Sequence, residues 1–418
     1  MNARDAGSAA SLRDRLWHWL LPAGADSAAR VLLISRGLRG FCDGYVAVLL
    51  PAYLLALGLG KFDVGLASTA TLIGSAVATI AVGALAHRFA VRQMFVFAAA
   101  LMTATGLAFG AVSSLWPLLT VAFVGTLNPS SGDVSLFLPL EQSRLAESAA
   151  GNARTALFAR YSLVGAVSAA VGSLAAGVPE WLAEHTRISG LFAMRLMFFW
   201  YAIAGAVIWF LYRGLPRASP HTERHAAPLG PSRHIVTRLA LLFSVDAFAG
   251  GLVVNSLLSL WLMQRFGLSL GAAGQFFFCA GLLSAASQLA AAPLAGKIGL
   301  LNTMVFTHIP ASLCLIAAAF TASLPATLTL LLIRSALSQM DVPTRTAYVM
   351  AVVTPAERPA AASFTSVPRS LAASLAPSLA GGLIGMGWLG VPLVACGALK
   401  IAYDLSLLFA FRHVKPDP

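Results

Sequence analysis

Long apolar blocks separated by short polar stretches dominate this chain, and they decide what it can fold into. The blocks at 31–57, 64–86, 93–127 and 191–212 contain few charged residues. A helix that spans a bilayer needs about 20 predominantly apolar residues, and each block is long enough to supply them. Only 11% of the 418 residues are charged and 58% are hydrophobic, whereas a soluble protein is about 25% charged. The chain is therefore predicted to be an all-α, multi-pass membrane protein.

Turn and charge signals divide the apolar blocks into twelve predicted spans. The fourth and tenth spans differ from the others because they carry polar residues in their middle. The spans are placed at 31–57, 64–86, 92–112, 116–140, 154–178, 191–213, 236–262, 271–295, 301–322, 326–353, 360–386 and 389–411.

The longest polar connection falls near the midpoint of the chain, between the sixth and seventh spans. Its Pro, Arg and His content is typical of a linker. The predicted domain organisation is an N-terminal tail, a six-helix bundle, a linker, a second six-helix bundle and a C-terminal tail. These segments are 1–30, 31–213, 214–235, 236–411 and 412–418.

The two halves also repeat each other in sequence. A shift of 209 residues places Gly58 on Gly267 and Gly65 on Gly274, and further Gly and basic pairs coincide. Two halves built on one plan are found in many secondary transporters. The predicted fold is therefore two pseudo-symmetric six-helix bundles.

The basic residues orient the chain in its membrane. Seventeen Lys and Arg residues fall on the side that holds both termini and four on the other side. Because Lys and Arg collect on the cytoplasmic side, both termini are predicted to be cytoplasmic, in the cell (inner) membrane. The same bias accounts for the net charge of +12 without a nucleic-acid partner. The four cysteines form no CxxC pair, and neither a metal nor a cofactor is expected.

With these features, the region 31–411 resembles the major facilitator superfamily. That family carries the pattern G-x-x-x-D-R-x-G-R-R between spans two and three, and this chain matches it at Gly83, Arg88 and Arg92. His87 stands where the family has Asp. The resemblance implies that Gly83, Arg88 and Arg92 belong to a cytoplasmic gate, without the usual charge relay through the Asp. The alternative is that Arg88 and Arg92 only anchor the loop at the membrane surface.

Ionisable residues inside the spans are the main candidates for function. A charge at the bilayer centre costs about 2.5–3.5 kcal/mol on insertion scales, so it is expected to face a partner or a water-filled path. Asp43, Asp133, Asp246 and Asp341 fall in spans one, four, seven and ten, which line the central cavity of the resembled fold. Asp43 and Asp246 are the preferred coupling residues. Seven bases also lie in the spans: Arg36, Arg39, Arg160, Arg334, Arg345, Arg369 and Lys400.

Depth in the membrane suggests how these charges pair. Asp133 and Arg160 lie at similar heights on consecutive spans, and Asp341 and Arg369 repeat this arrangement in the second half. Two interpretations stay open, namely ion pairs that fix helix packing and pairs that a proton or the substrate opens. Lys400 and Asp404, four residues apart on one helix, are interpreted as a structural pair. The candidate substrate or coupling residues are Arg39, Asp43, Asn128, Asp133, Arg160, Asp246, Asn255, Asp341, Arg345 and Arg369.

Spans four and ten are predicted to be interrupted. Pro129 and Gly132 break the helical pattern in span four, and Pro343 does so in span ten. Interrupted segments at matching positions of two halves indicate a transport site, and a packing kink without a ligand is the alternative.

Together these features predict a secondary active transporter that moves a small solute by alternating access. Proton-coupled efflux of a drug-like or toxic compound is the favoured function; proton-coupled uptake of an organic anion and a non-transporting membrane sensor are the alternatives. No Walker A sequence or nucleophile–base arrangement is present, so an enzyme is not expected. His308 is interpreted as a packing residue. The expected partners are the lipid bilayer, the solute and protons, and the protein is expected to be a monomer.

Overall fold

The computed structural model describes residues 17, 19–22, 26–85, 88–130, 136–149, 151–216, 230–354 and 357–413. All regular structure within these ranges is α-helical. The N-terminal half contains α1 (Ser27–Ala56), α2 (Lys61–Leu85), α3 (Val91–Ala111), α4 (Leu115–Val124), α5 (Phe137–Ser148), α6 (Gly151–Ala175), α7 (Val178–His185) and α8 (Gly190–Arg213). The C-terminal half contains α9 (Arg233–Gly251), α10 (Asn255–Phe266), α11 (Leu270–Ile298), α12 (Leu300–Phe320), α13 (Leu324–Leu337), α14 (Asp341–Ala351), α15 (Arg358–Gly385) and α16 (Val391–Phe411).

The helices confirm the all-α, multi-pass prediction. Within the described ranges, nine helical stretches are long and apolar enough to cross a membrane, and they correspond to spans one to three, five to nine and twelve. The eleventh predicted span is α15, whose 28 residues extend over about 42 Å at 1.5 Å per residue. The fourth and tenth spans are each divided into two shorter helices, α4 with α5 and α13 with α14. The count of twelve spans stays a prediction.

A third break was not predicted. Span seven is divided into α9 and α10, and Leu252–Val254 between them are not helical. The break follows the glycines Gly250 and Gly251, which are poor helix formers. No proline lies at this position, so the break is not marked by the usual helix-breaking residue.

The internal repeat is visible in the turn that follows the first predicted span of each half. Gly58 follows α1 with φ +85°, and Gly267 follows α10 with φ +64°. A side chain at such a φ would be strained, and glycine is not. The shift of 209 residues pairs these two glycines, so the same turn occurs in both halves.

Contacts between the halves define two faces of the molecule. In these contacts α1 packs on α10, α2 on α15 and α6 on α11. The face where α1 and α10 end and where α2 and α11 begin is called the distal face. The opposite face, where α1 begins and α16 ends, is called the terminal face.

The distal face is closed by close backbone contacts between the halves. A Cβ added to Gly65 of α2 would lie 2.9 Å from the Cα of Gly381 in α15, and one added to Gly274 of α11 would overlap the carbonyl of Ser173 in α6. The carboxylate of Glu180 also accepts a hydrogen bond of 2.8 Å from the backbone N–H of Gly271. The short terminal-side helices α5 and α14 instead pack on helices of their own halves.

Candidate functional site

A cavity of about 250 Å³ lies between the two halves. Arg36 and Asp43 of α1 and Ser162 of α6 line its N-terminal wall. Asn255 of α10 and Arg334 of α13 line its C-terminal wall. Further polar lining comes from Gln288 and Gln339, and Leu258, Phe276 and Phe277 supply the large apolar side chains. Charged groups from both halves therefore face one shared space, as expected for ionisable residues at membrane depth.

The helix breaks converge on this cavity. Ser130, Asn255 and Gln339 come from the breaks in spans four, seven and ten, and all three line it. The first two breaks also touch, because the backbone N–H of Ser256 donates to the carbonyl of Pro129 at 3.1 Å. Irregular backbone at membrane depth is tolerated where it is buried in protein or lines a water-filled cavity. This hydrogen bond between the two breaks pairs backbone groups that an unbroken helix would pair within itself.

Another, more open cavity of about 580 Å³ lies within the C-terminal half, near the distal face. Trp261, Arg265 and Trp388 are among its lining residues. Because this cavity has no lining residue from the N-terminal half, a movement of one half relative to the other would not open or close it.

A buried cluster around Glu141 joins four helices of the N-terminal half. Its carboxylate, on α5, accepts hydrogen bonds from the guanidinium of Arg39 on α1 and from the hydroxyls of Tyr161 on α6 and Tyr212 on α8. The Arg39 guanidinium also lies 4.1 Å from the centre of the Phe137 ring. Breaking a buried, hydrogen-bonded ion pair of this kind is strongly destabilising.

Sequence reasoning missed Glu141. This glutamate lies one residue beyond the predicted fourth span, 116–140, and is not among the candidate residues. The available signal was its position directly after an apolar run, with Arg39 as a base at membrane depth in another span. The partners are 102 residues apart in sequence, and helix periodicity alone could not connect them.

A second buried cluster lies in the C-terminal half around Asp246. One carboxylate oxygen accepts from Lys400 of α16 at 2.6 Å, and the other accepts from Arg345 of α14 at 2.9 Å. Arg345 also pairs with Asp341, one helical turn before it, at 3.2 Å. The sequence placed no cation near Asp246, and the structure supplies two from other helices.

His308 connects this cluster to Asp404. Its Nδ1 lies 3.1 Å from the Asp404 carboxylate, and its Nε2 lies 3.2 Å from the Lys400 ammonium. A charged ammonium can only donate, so Nε2 accepts and the ring proton sits on Nδ1, facing Asp404. The interpretation of His308 as a packing residue is therefore incomplete. The expected Lys400–Asp404 pair is replaced by Lys400–Asp246 and Asp404–His308.

The predicted ion pair between Asp341 and Arg369 does not form, and the predicted pair between Asp133 and Arg160 is not tested. Asp341 pairs with Arg345 rather than with Arg369, whose buried Nε has no hydrogen-bond partner in the structure. The guanidinium of Arg160 lies 5.6 Å from the centre of the Trp19 ring. Asp133 falls outside the described residues, so its pairing with Arg160 stays a prediction.

The remaining candidate residues are spread over the molecule. Asn128, in the break of span four, accepts hydrogen bonds from the backbone N–H and the hydroxyl of Ser130. Arg88, between α2 and α3, is exposed, and Arg92, in the first turn of α3, is partly buried. Gly83 lies near the end of α2. The role of these last three residues in a gate stays a prediction.

Outside the spans, Glu357 fastens the start of α15 to the chain that precedes α9. Hydrogen bonds from Ser232, Thr354 and the backbone of Gly230 favour its charged form and hold its pKa at about 2, below the usual 4.5. The Thr354 hydroxyl donates at 2.7 Å. The end of the predicted linker is thereby held against the terminal face of the C-terminal half.

No group of three or more His, Cys, Asp or Glu side chains in the described part of the chain is placed to hold a metal ion. Arginine, lysine and tyrosine are the partners of the buried carboxylates instead. The clusters in the described part of the chain are thus held together by ion pairs and hydrogen bonds.

Repeated halves that meet at a polar cavity lined by discontinuous helices are typical of membrane transporters. The sequence matches the model of the Major Facilitator Superfamily over residues 32–340. The match covers more than half of the chain, which therefore belongs to this superfamily, as its sequence pattern indicated. Members of the superfamily are in general carriers rather than enzymes.

Individual relatives share the fold at low sequence identity. The uncharacterized membrane protein YJR124C of Saccharomyces cerevisiae is 23% identical over 426 residues, which cover 93% of this chain and 95% of the yeast protein. Among solved structures, a D-xylose-proton symporter has a TM-score of 0.72 at 15% identity, covering 94% of this chain and 98% of its own. The nucleoside transporter NupG has a TM-score of 0.71 at 12% identity, covering 93% and 100%. The human organic anion transporter MFSD10 has a TM-score of 0.63 at 16% identity, covering 91% and 98%.

Proposed function

We propose that this protein is a secondary active transporter that moves a small polar solute across a cell membrane by alternating access, coupled to protons. The observation that carries the proposal is the cavity between the halves, which is lined by three broken helices and by charges from both halves. Its volume of about 250 Å³ is just below the usual range of small-molecule pockets, roughly 300–1,000 Å³. The solute is therefore proposed to be small.

The proposed orientation places the terminal face in the cytoplasm. It rests on the excess of Lys and Arg in the segments on that side. With this orientation, the contacts of Gly65 and Gly274 close the protein toward the outside. Transport then requires these contacts to break while the terminal sides of the halves come together.

Proton coupling is proposed to reside in the Asp246 cluster rather than in the cavity wall. Asp246 has two cationic partners, whereas Asp404 forms a hydrogen bond with His308. This hydrogen bond is the proposed site of proton binding, because His308 also contacts Lys400. Adding that proton changes the electrostatic environment of the Lys400 ammonium, which contacts both His308 and Asp246.

A second candidate function is efflux of a drug-like compound. It is favoured by the apolar part of the C-terminal wall, Leu258, Phe276 and Phe277. Such compounds are bound mainly through apolar and aromatic side chains. The charged and amide groups of the same cavity favour the polar solute.

The test is a growth screen of a strain that lacks this gene against antimicrobials, metalloids and sole carbon sources, with and without the plasmid-borne protein. We expect a growth difference that the wild-type protein restores and that Asp43→Asn does not restore. The solute identified in this way is then followed in proteoliposomes with an imposed proton gradient. Accumulation that an uncoupler abolishes is expected, and its direction distinguishes uptake from efflux. If Asp43→Asn and Asp246→Asn leave every phenotype intact, the protein is a non-transporting member of the fold.

A further inference from the structure

We infer that the cavity binds a small anion and that Arg334 is the residue that holds it. This inference rests on the proposed function and names the substrate class of that cavity. The observation behind it is an imbalance of charge between the two cavity walls.

The N-terminal wall carries charges of both signs. Arg36 and Asp43 both face the cavity and lie seven residues apart on α1, which places them on one side of the helix. The Asp43 carboxylate interacts electrostatically with the Arg36 guanidinium. This wall therefore supplies its own counter-charge.

The C-terminal wall carries a cation without a counter-charge. Arg334 lies in the last turn of α13, partly buried, and faces the cavity. Among the residues that the structure describes, no carboxylate lies within 4 Å of its guanidinium, and the C-terminal part of the lining contains no acid. In contrast, Arg39 and Arg345, two other arginines in the spans, are held by carboxylates.

An unpaired guanidinium at membrane depth needs water or a ligand as its partner. The high cost of placing a charge at that depth favours a functional role over a packing role. The planar guanidinium presents two parallel N–H groups that match the two oxygens of a carboxylate or phosphate. Arg334 is therefore placed to bind an oxyanion.

The neighbouring groups fit the same ligand. The side-chain amides of Asn255, Gln288 and Gln339 line the cavity, and each can donate two hydrogen bonds. Asn255 is also the first residue of α10, and the start of a helix carries partial positive charge. These donors surround a space large enough only for a small carboxylate, a phosphate ester or an inorganic oxyanion.

The experiment measures ligand binding by the purified full-length protein in lipid nanodiscs, without a proton gradient. The probes are acetate, succinate, phosphate and sulfate, with acetamide and succinamide as uncharged counterparts of the two carboxylates. We expect at least one anion to raise the thermal unfolding midpoint in a concentration-dependent manner and the amides to leave it unchanged. Arg334→Gln should weaken the apparent affinity about tenfold or more, because it removes a charge-assisted hydrogen-bonding partner. Arg265→Gln removes an exposed guanidinium outside this cavity and should bind as the wild type does.

A second measurement needs no ligand. If Arg334 lacks a protein partner, Arg334→Gln should raise the unfolding midpoint of the ligand-free protein, whereas loss of a structural ion pair would lower it. A lower midpoint, equal stabilisation by the amides, or no shift with any anion overturns the inference. Transport of an uncharged solute would refute the anion class and leave the transporter proposal standing. Anion binding without any exchange of the bound anion across proteoliposomes would refute the transporter proposal instead.

Discussion

Adding a methyl group to Gly65 is expected to force the distal face open. The new Cβ of Gly65→Ala would lie 2.9 Å from the Cα of Gly381 and overlap the carbonyl of Pro377. Real Cβ contacts essentially never fall below 3.0 Å. Because both obstacles are backbone atoms, no side chain can rotate away, and α2 must separate from α15.

The size of the effect follows from the cost of overpacking. Extra volume in a close-packed region costs about 1–3 kcal/mol, and here the cost falls on the distal-closed state alone. A difference of 1–3 kcal/mol corresponds to about a 5- to 150-fold change in the ratio of the two states. Gly274→Ala is expected to open the distal face as well, because its new Cβ would overlap the carbonyl of Ser173.

Spin labels at Glu184 and Ala322 report the opening, since both residues are exposed at the distal ends of opposite halves. Pulsed electron resonance in nanodiscs should show a longer distance population that grows in Gly65→Ala. The matched control is Gly296→Ala in α11, where an added Cβ meets nothing within 4 Å. An unchanged distance distribution in a Gly65→Ala protein that is folded by its unfolding midpoint would refute the argument.

Three further predictions concern the buried and terminal charges. Glu141→Gln should lower the free energy of unfolding by about 3–5 kcal/mol, because the buried Arg39 guanidinium loses its counter-charge. Thermal unfolding measures this loss. The control Glu147→Gln, at a partly exposed position, should change the free energy of unfolding little. The low native pKa of Glu357 stabilises the fold above about pH 4.5, and this contribution is lost as the pH falls toward 2. The unfolding midpoint of Glu357→Gln, measured against pH, should lack this part of the pH dependence. Parallel pH profiles of the wild type and the variant would contradict the assignment. The double variant that combines Lys400→Gln with Asp246→Asn should be less destabilised than the sum of the two single variants, because each single substitution already removes the interaction between the two side chains. A double-mutant cycle measures this difference, and strict additivity would exclude the pair.

Local signals in the sequence were sufficient for much of the fold. The apolar blocks marked nine of the membrane helices, and Pro129 indicated the break in span four. Glycine matches between the halves located the turns at Gly58 and Gly267. These features depend on a residue and its near neighbours, which is why they could be read along the chain.

The partners of the buried charges could not be read in this way. They depend on how each helix is rotated about its axis, and a helix that is apolar on all sides gives a weak periodic signal. Asp246 is held by residues 99 and 154 positions away, and His308 meets Asp404 across 96 positions. Depth alone suggested Asp341–Arg369, whereas Asp341 pairs with Arg345, four residues along the same helix.

The two buried clusters have the same structural role, with the acid and the base on exchanged helices. A break in span four or ten leaves a short terminal-side helix, α5 or α14, that no longer gains support from a continuous span. In the N-terminal half the short helix carries the acid, Glu141, and the first long helix carries the base, Arg39. In the C-terminal half the short helix carries the base, Arg345, and α9 carries the acid, Asp246. Each pair fastens the short helix to its own half, although the span that contains this helix is broken. Because the charges are exchanged between the halves, a search for matching residues in the repeat could not reveal this correspondence.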